Sequence, residues 1–236
     1  MYEPSVYHVK FKYPDNWNTL DPLEKGALSH QVAIEVGAYM SYAALTWHEM
    51  LTWFGWSNTW VIPEFASAFS WEDNFSNSLG AIVGEKALHS GIEDWDLAVT
   101  QTLNEMLHYL GIQSKQVSKK AGKMVKDTWY SGDLFFVEMR KRHFDIGTDD
   151  GEITPIVIPV EECNGIEPEK FKAPQIENTE KAGFQIQFEI EPNTQREKIN
   201  EIVGMERVDI MKHFPIIIRH IRQEAINKYG DDVDVY

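Results

Sequence analysis

The chain has one cysteine, Cys163, in 236 residues, so no internal disulfide can staple it and its stability must come from packing. Cys163 sits in Glu-Glu-Cys-Asn-Gly, a polar, loop-like setting with no base beside it, and reads as a bystander thiol rather than a nucleophile. Long apolar runs are also missing. The longest uncharged stretches, residues 36–47 and 50–63, fall short of the ~20 residues a membrane-spanning helix needs and are broken by polar side chains. Residues 1–20 hold no apolar segment of the signal-peptide kind, so a soluble chain is expected. Basic residues are scarce: 22 Lys and Arg stand against 37 Asp and Glu, a formal net charge of −15. Such a chain repels a phosphate backbone, and nucleic acid is not an expected partner. The one basic stretch, from Lys115 through Lys119, Lys120, Lys123 and Lys126 to Arg140, Lys141 and Arg142, reads as a solvated helix face.

Several catalytic signatures are absent as well. No Gly-rich phosphate loop follows a strand, no Gly-x-Ser-x-Gly elbow occurs, and there is no internal repeat. Trp47-His48-Glu49-Met50-Leu51-Thr52-Trp53 begins like a zinc-peptidase helix. The second His that would place two imidazoles on one face is replaced by Thr52. Glu105-Met106-Leu107-His108 supplies one half of a di-iron bundle motif, and no second half exists. Glu35 and Glu49 share a helix face, but fourteen residues at a rise of ~1.5 Å put them roughly 21 Å apart, too far for one cluster.

What is present is a globular composition, 43% hydrophobic and 25% charged, with seven of the eight Trp between Trp17 and Trp95. Asp21-Pro22 reads as a helix start, with Asp as cap and Pro at the first helical position. Residues 28–54 are apolar nearly all round, which predicts a helix buried at the centre of a bundle. An aromatic loop from Trp56 to Phe69 follows. Ser70-Trp71-Glu72-Asp73 resembles a capping box for a helix carrying Ser76, Gly80, Gly84 and Ala87. That small-residue face predicts close approach to the central helix, with Gly80 and Gly84 at the contact. Further helices are expected over about 94–110 and from Ser114 to Trp129. Extended segments are expected over 153–160 and 184–190, and helices over 194–203 and 208–229, the last kinked or interrupted at Pro215. The fold class is therefore α+β, mostly α: a helical body around a buried central helix, with a small β elaboration in the C-terminal half. One domain is expected over residues 1–236, with the helical body at about 20–130, a mixed β and irregular segment at about 145–192, and C-terminal helices at about 194–229.

Chemistry concentrates in two places. His48 and Glu49 are expensive to bury in so apolar a helix unless they bond or bind something. Glu72, Asp73 and Asn77 offer oxygen ligands or an acid/base pair at a helix start, Asp73 and Asn77 being one turn apart. These five residues form the best candidate site. His48 would serve as base or metal ligand and Glu49 as base or ligand, with Glu72, Asp73 and Asn77 as ligands or orienters. Trp47, Trp53 and Trp71 would wall the site. A divalent metal, where one takes part, would draw on His48, Glu49, Glu72 and Asp73. The plainer reading makes the same residues a capping box and a buried polar network. Asp145, Asp149, Asp150 and Glu152 do not match an EF-hand loop and read as a turn. Asp209, His213, His220 and Glu224 read as a helix-face ladder.

Trp47-His48-Glu49 with Thr52-Trp53-Phe54-Gly55, then Ser67-Ala68-Phe69-Ser70-Trp71-Glu72-Asp73 with Ser76-Asn77 and Leu79-Gly80, resembles a bacterial family of lipoproteins, domain-of-unknown-function family 4056. Asp145-Ile146-Gly147, Asp149-Asp150-Gly151, Thr154-Pro155 and Tyr229-Gly230 fit the same pattern. The resemblance implies a cell-envelope or periplasmic location and carries no established activity. The lack of a signal segment in residues 1–20 leaves a cytoplasmic relative as the alternative. The expected function is a hydrolase, metal-assisted or acid/base, working at a helix–helix cleft on a small molecule or envelope component. The rival is a non-catalytic, envelope-associated binding or scaffold protein. Oligomeric state is not legible in the residues.

Overall fold

A computed structural model of the chain describes residues 5–55, 64–132 and 137–234. The fold is mostly helical with a few short strands. In chain order the elements are β1 (Ser5–Lys12), α1 (Pro22–Trp53), α2 (Asp73–His89), α3 (Trp95–Tyr109), α4 (Lys115–Val125), β2 (Tyr130–Ser131), β3 (Glu138–Met139), β4 (Glu152–Ile153), β5 (Phe171–Lys172), α5 (Glu177–Lys181), β6 (Gln185–Pro192), α6 (Arg196–Val203), β7 (Val208–Asp209) and α7 (Ile210–Tyr229).

Helices α1, α3 and α4 begin at side-chain caps. Asp21 accepts the N–H groups of Leu23 and Glu24 while Glu24 reaches back to the Asp21 N–H, and Pro22 needs no partner. Asp94 and Ser114 cap α3 and α4 more simply, each accepting one backbone N–H, of Leu97 and of Val117. α1 then runs 32 residues, and its C-terminal half lies in the main core. There Trp47, Met50 and Leu51 are almost completely buried with Phe188 and Ile190 of β6, Ile199 of α6 and Phe214, Ile217 and Ile221 of α7. Trp47 stacks on Phe214 at 6.0 Å between ring centroids. α7 runs through Pro215 without interruption. The proline falls within the first two turns, so its missing N–H costs at most one ladder bond.

One strand adds to the expected set, and two expectations need correction. The main sheet has strand order β1-β6-β7, and β1 comes from the N-terminus, pairing antiparallel with β6 from Ser5↔Pro192 to Lys12↔Gln185. Its alternating Tyr7, Val9 and Phe11 carried that signal. Of residues 153–160 only Ile153 enters a ladder, because the following Pro155 offers no N–H for pairing. Finally, α2 does not meet α1 through glycine. A Cβ placed at Gly80 or Gly84 would meet nothing within 4 Å. The contact runs instead through Ala81, which packs with Tyr42 of α1 and with Ile153 and Ala173. Of the aromatic loop from Trp56 to Phe69, residues 56–63 lie outside the described residues.

Candidate functional site

The end of α1 and the start of α2 meet at a turn formed by residues 67–70. Phe69 holds φ at +56°, a left-handed conformation that costs a non-glycine residue energy unless its surroundings impose it. They do. The Glu49 carboxylate accepts the Phe69 N–H at 2.9 Å, and the Asp73 carboxylate accepts the Ser70 N–H at 2.7 Å. Asp73 thus reaches back as a capping box requires, but α2 begins at Asp73 and the Ser70 hydroxyl does not cap it. Ser70 instead pairs in strand fashion with Arg142.

Arg142 and His143 close the junction from behind. Arg142, assigned by its neighbours to a solvated basic face, has a completely buried side chain. Its guanidinium donates to the carbonyl of Ala68 and lies over the rings of Trp53, Phe65 and Tyr229 at 5.0, 5.6 and 5.2 Å. Its backbone N–H bonds Val233 and that of His143 bonds Phe69, so the left-handed turn is gripped on both sides. Asn74, fully buried on α2, donates to the His143 carbonyl at 2.6 Å. No carboxylate forms an ion pair with Arg142 among the described residues. Burial lowers its pKa, and Tyr229, Glu138 and Asp73 oppose the shift.

The titration of this cluster follows from burial and from like charge. The Asp73 carboxyl is pushed up to about 6, first by burial and then by the negative charge of Glu49, against the hydrogen bonds from Ser70. The His143 imidazole is pulled down to about 4 by burial, with Asp234 opposing. At pH 7 the junction therefore holds a neutral imidazole, a buried guanidinium and a carboxyl group that takes a proton near pH 6.

Of the five residues expected at the site, Glu49 and Asp73 are brought together. His48 is half-buried on α1, Asn77 is half-buried one turn beyond Asp73, and Glu72, solvent-exposed at the α2 cap, has its carboxyl raised first by partial burial and then by the charge of Asp73. Trp53 does wall the junction through its stacking on Arg142. Trp47 points into the core, where its Nε1 donates to the Ser5 hydroxyl, and Trp71 packs edge-on against Trp129. Among the described residues no group of three or more His, Cys, Asp and Glu side chains stands where it could hold a metal ion. The acidic turn around Asp145 spends its oxygens locally: Asp145 accepts from Gly147 and Thr154, and Asp150 from Glu152 and Lys170.

Arg142, His143 and Asn74 were not singled out by sequence reasoning. Glu35 was considered only for a di-iron site. It is buried, and its carboxylate accepts the N–H groups of Asn178 and Thr179 together with their side-chain donors, tying α5 to α1. Two clefts flank that anchor. One, of about 650 Å³, lies between α2, α3 and residues 169–178, and a smaller one of about 240 Å³ lies between α1, α5 and the start of α7. Neither is lined by His48, Glu49, Glu72, Asp73 or Asn77.

Residues 14–152 match the family described as Protein of unknown function (DUF4056). That span is more than half of the chain, and the chain belongs to this family. No curated protein and no solved structure matches it. Among the described residues no helix is long and apolar enough to cross a membrane.

Proposed function

We propose that this member of a family of unknown function is a hydrolase whose acid/base centre is the Glu49–Asp73 pair. The observation that supports it is the placement of the two carboxylates on adjacent backbone N–H groups, with the Asp73 carboxyl raised to about 6. A carboxyl whose pKa is lifted toward the working pH can give a proton and take one back within the same cycle. Asp73 would hold the proton for a leaving group, and Glu49 would take one from an attacking water. A working pKa near the operating pH is what such exchange requires. The Arg142 guanidinium beside Asp73 adds positive charge where a developing anion would form. The substrate is a small molecule or envelope component, and the location is the bacterial cell envelope, as a lipoprotein. Only the family resemblance supports that location.

A second reading is favoured by the clefts. None of the five expected residues lines either of the two described above, as a closed polar network that fixes the α1–α2 junction would have it. Chromogenic esters, amides, phosphoesters and glycosides assayed between pH 4 and 8 separate the two. The acid/base reading expects one class to be cleaved, with Glu49→Gln and Asp73→Asn each losing at least 100-fold while remaining folded. Cleavage that persists unchanged in both variants leaves the network as scaffold. So does a parent protein inert on every class, with Glu49→Ala losing about 1–3 kcal/mol of stability by stranding the Phe69 N–H.

A further inference from the structure

We propose that the cavity between α1, residues 146–148, residues 173–177 and the start of α7 binds a small neutral aromatic molecule carrying one hydroxyl or carbonyl group. This site is separate from the Glu49–Asp73 junction, and neither reading depends on the other.

One wall is a single helical stripe. Tyr39, Tyr42, Ala43 and Thr46 fall at i, i+3, i+4 and i+7 on α1 and therefore face one way. Ile176 and Phe214 close the opposite side. The volume of about 240 Å³ exceeds the ~150 Å³ that suffices for benzene in an engineered apolar cavity, so one substituted ring fits. Aromatic walls at two sides suit a flat ligand.

The walls are held in place without a ligand. Tyr42 donates its hydroxyl to the Ile146 carbonyl at 3.1 Å, and Asp145 fixes the turn that follows through Gly147 and Thr154. Gly147 has φ of +62°, and a Cβ there would stand 2.7 Å from that of Ala173, so only glycine allows the two straps to touch. The buried Glu35 carboxylate pins α5 at the end of the second strap. A cavity with independently braced walls is preformed, and preformed sites lose least entropy on binding.

A polar handle lies inside. Thr46 is 1% exposed and lines the cavity, and its Oγ1 has no hydrogen bond of proper geometry, although the Tyr42 hydroxyl is near enough to be influenced by it. A buried hydroxyl left in that condition is costly, and a ligand oxygen would relieve it. The acidic rim disfavours an anion, and the cost of burying a charge of either sign favours a neutral molecule. Glu177 and Glu180 line the cavity, Glu177 pairing with Lys181, and Asp209 bears on Tyr39 while pairing with Lys212. A carboxylate ligand would meet acidic groups at the rim and pay to be buried inside.

Titration of the full chain with phenol, toluene and benzoate, followed by calorimetry and two-dimensional NMR, tests the assignment. Phenol is expected to bind saturably at one site and to show intermolecular NOEs to Tyr39, Thr46 and Phe214, with benzoate at least tenfold weaker. Thr46→Val should weaken phenol about fivefold and leave toluene unchanged, and Ala43→Leu should abolish both. Absence of saturable phenol binding up to its solubility limit overturns the proposal, as do NOEs confined to other residues. An equal fall for phenol and toluene in Thr46→Val removes the hydroxyl from the ligand class. If Ala43→Leu does not fold, the NOEs of the parent protein decide.

Discussion

Glu49 and Asp73 accept the N–H groups of two consecutive residues, Phe69 at 2.9 Å and Ser70 at 2.7 Å, from the ends of two different helices. Two acids are thereby held at one left-handed turn, and their mutual repulsion is part of what raises Asp73 to about 6. The turn costs energy in conformation and in charge, and the network around Arg142 holds it closed.

Asp73 should cost stability at neutral pH. Its folded pKa of about 6 lies above the ordinary 3.8, so between those values the native state holds a proton that the unfolded chain has lost. Stability therefore falls as pH rises from about 4 to 6. Asp73→Asn, which keeps an oxygen for the Ser70 N–H, should stabilise at pH 7 by on the order of 2 kcal/mol. The gain should vanish near pH 4 in urea denaturation.

His143 should act with the opposite sign in nearly the same window. Its pKa falls from 6.5 to about 4 on burial, so between those values the unfolded chain holds the extra proton and stability rises with pH. The two linkages offset one another in the parent protein. Asp73→Asn should therefore steepen the loss of stability on acidification from pH 6.5 to 4. Adding His143→Gln should flatten it again. A slope unchanged in both would show that neither group titrates across this range.

Gly84 should tolerate a side chain. It lies inside α2, its Cβ would meet nothing within 4 Å, and its backbone is helical. Gly84→Ala should then stabilise by about 0.5–1 kcal/mol through helix propensity and a less flexible unfolded chain. A lower thermal midpoint would restore close helix approach at this position.

Glu35→Gln should weaken the attachment of α5. The Glu35 carboxylate takes donors from both Asn178 and Thr179, and an amide can accept through only one oxygen. A loss of about 1–3 kcal/mol is expected. Hydrogen exchange should show faster opening at Thr179, with α1 unaffected.

The sequence by itself determined where α1, α3 and α4 start. Asp21 with Glu24, Asp94 and Ser114 act on N–H groups within four residues, so the cause and the effect lie in one window. It also pointed to the burial of the C-terminal half of α1, where Trp47, Met50 and Leu51 lie in the core, although Gln31, Ala33, Gly37, Ser41 and Leu45 leave one exposed stripe along the helix. Only the tertiary structure decided what the polar residues do. Arg142 followed a run of lysines and read as solvated, yet Trp53, Phe65 and Tyr229, dozens of residues away, enclose it. Glu49 and Asp73 were legible as unusual, but the turn that joins them depends on His143 gripping Phe69 from across the chain. Gly80 and Gly84 suggested close packing by spacing alone, whereas the rotation of α2 that turns Ala81 toward Tyr42 is set by every contact of both helices together. A carboxylate or guanidinium is driven only to find partners, and local spacing does not say which distant backbone will supply them.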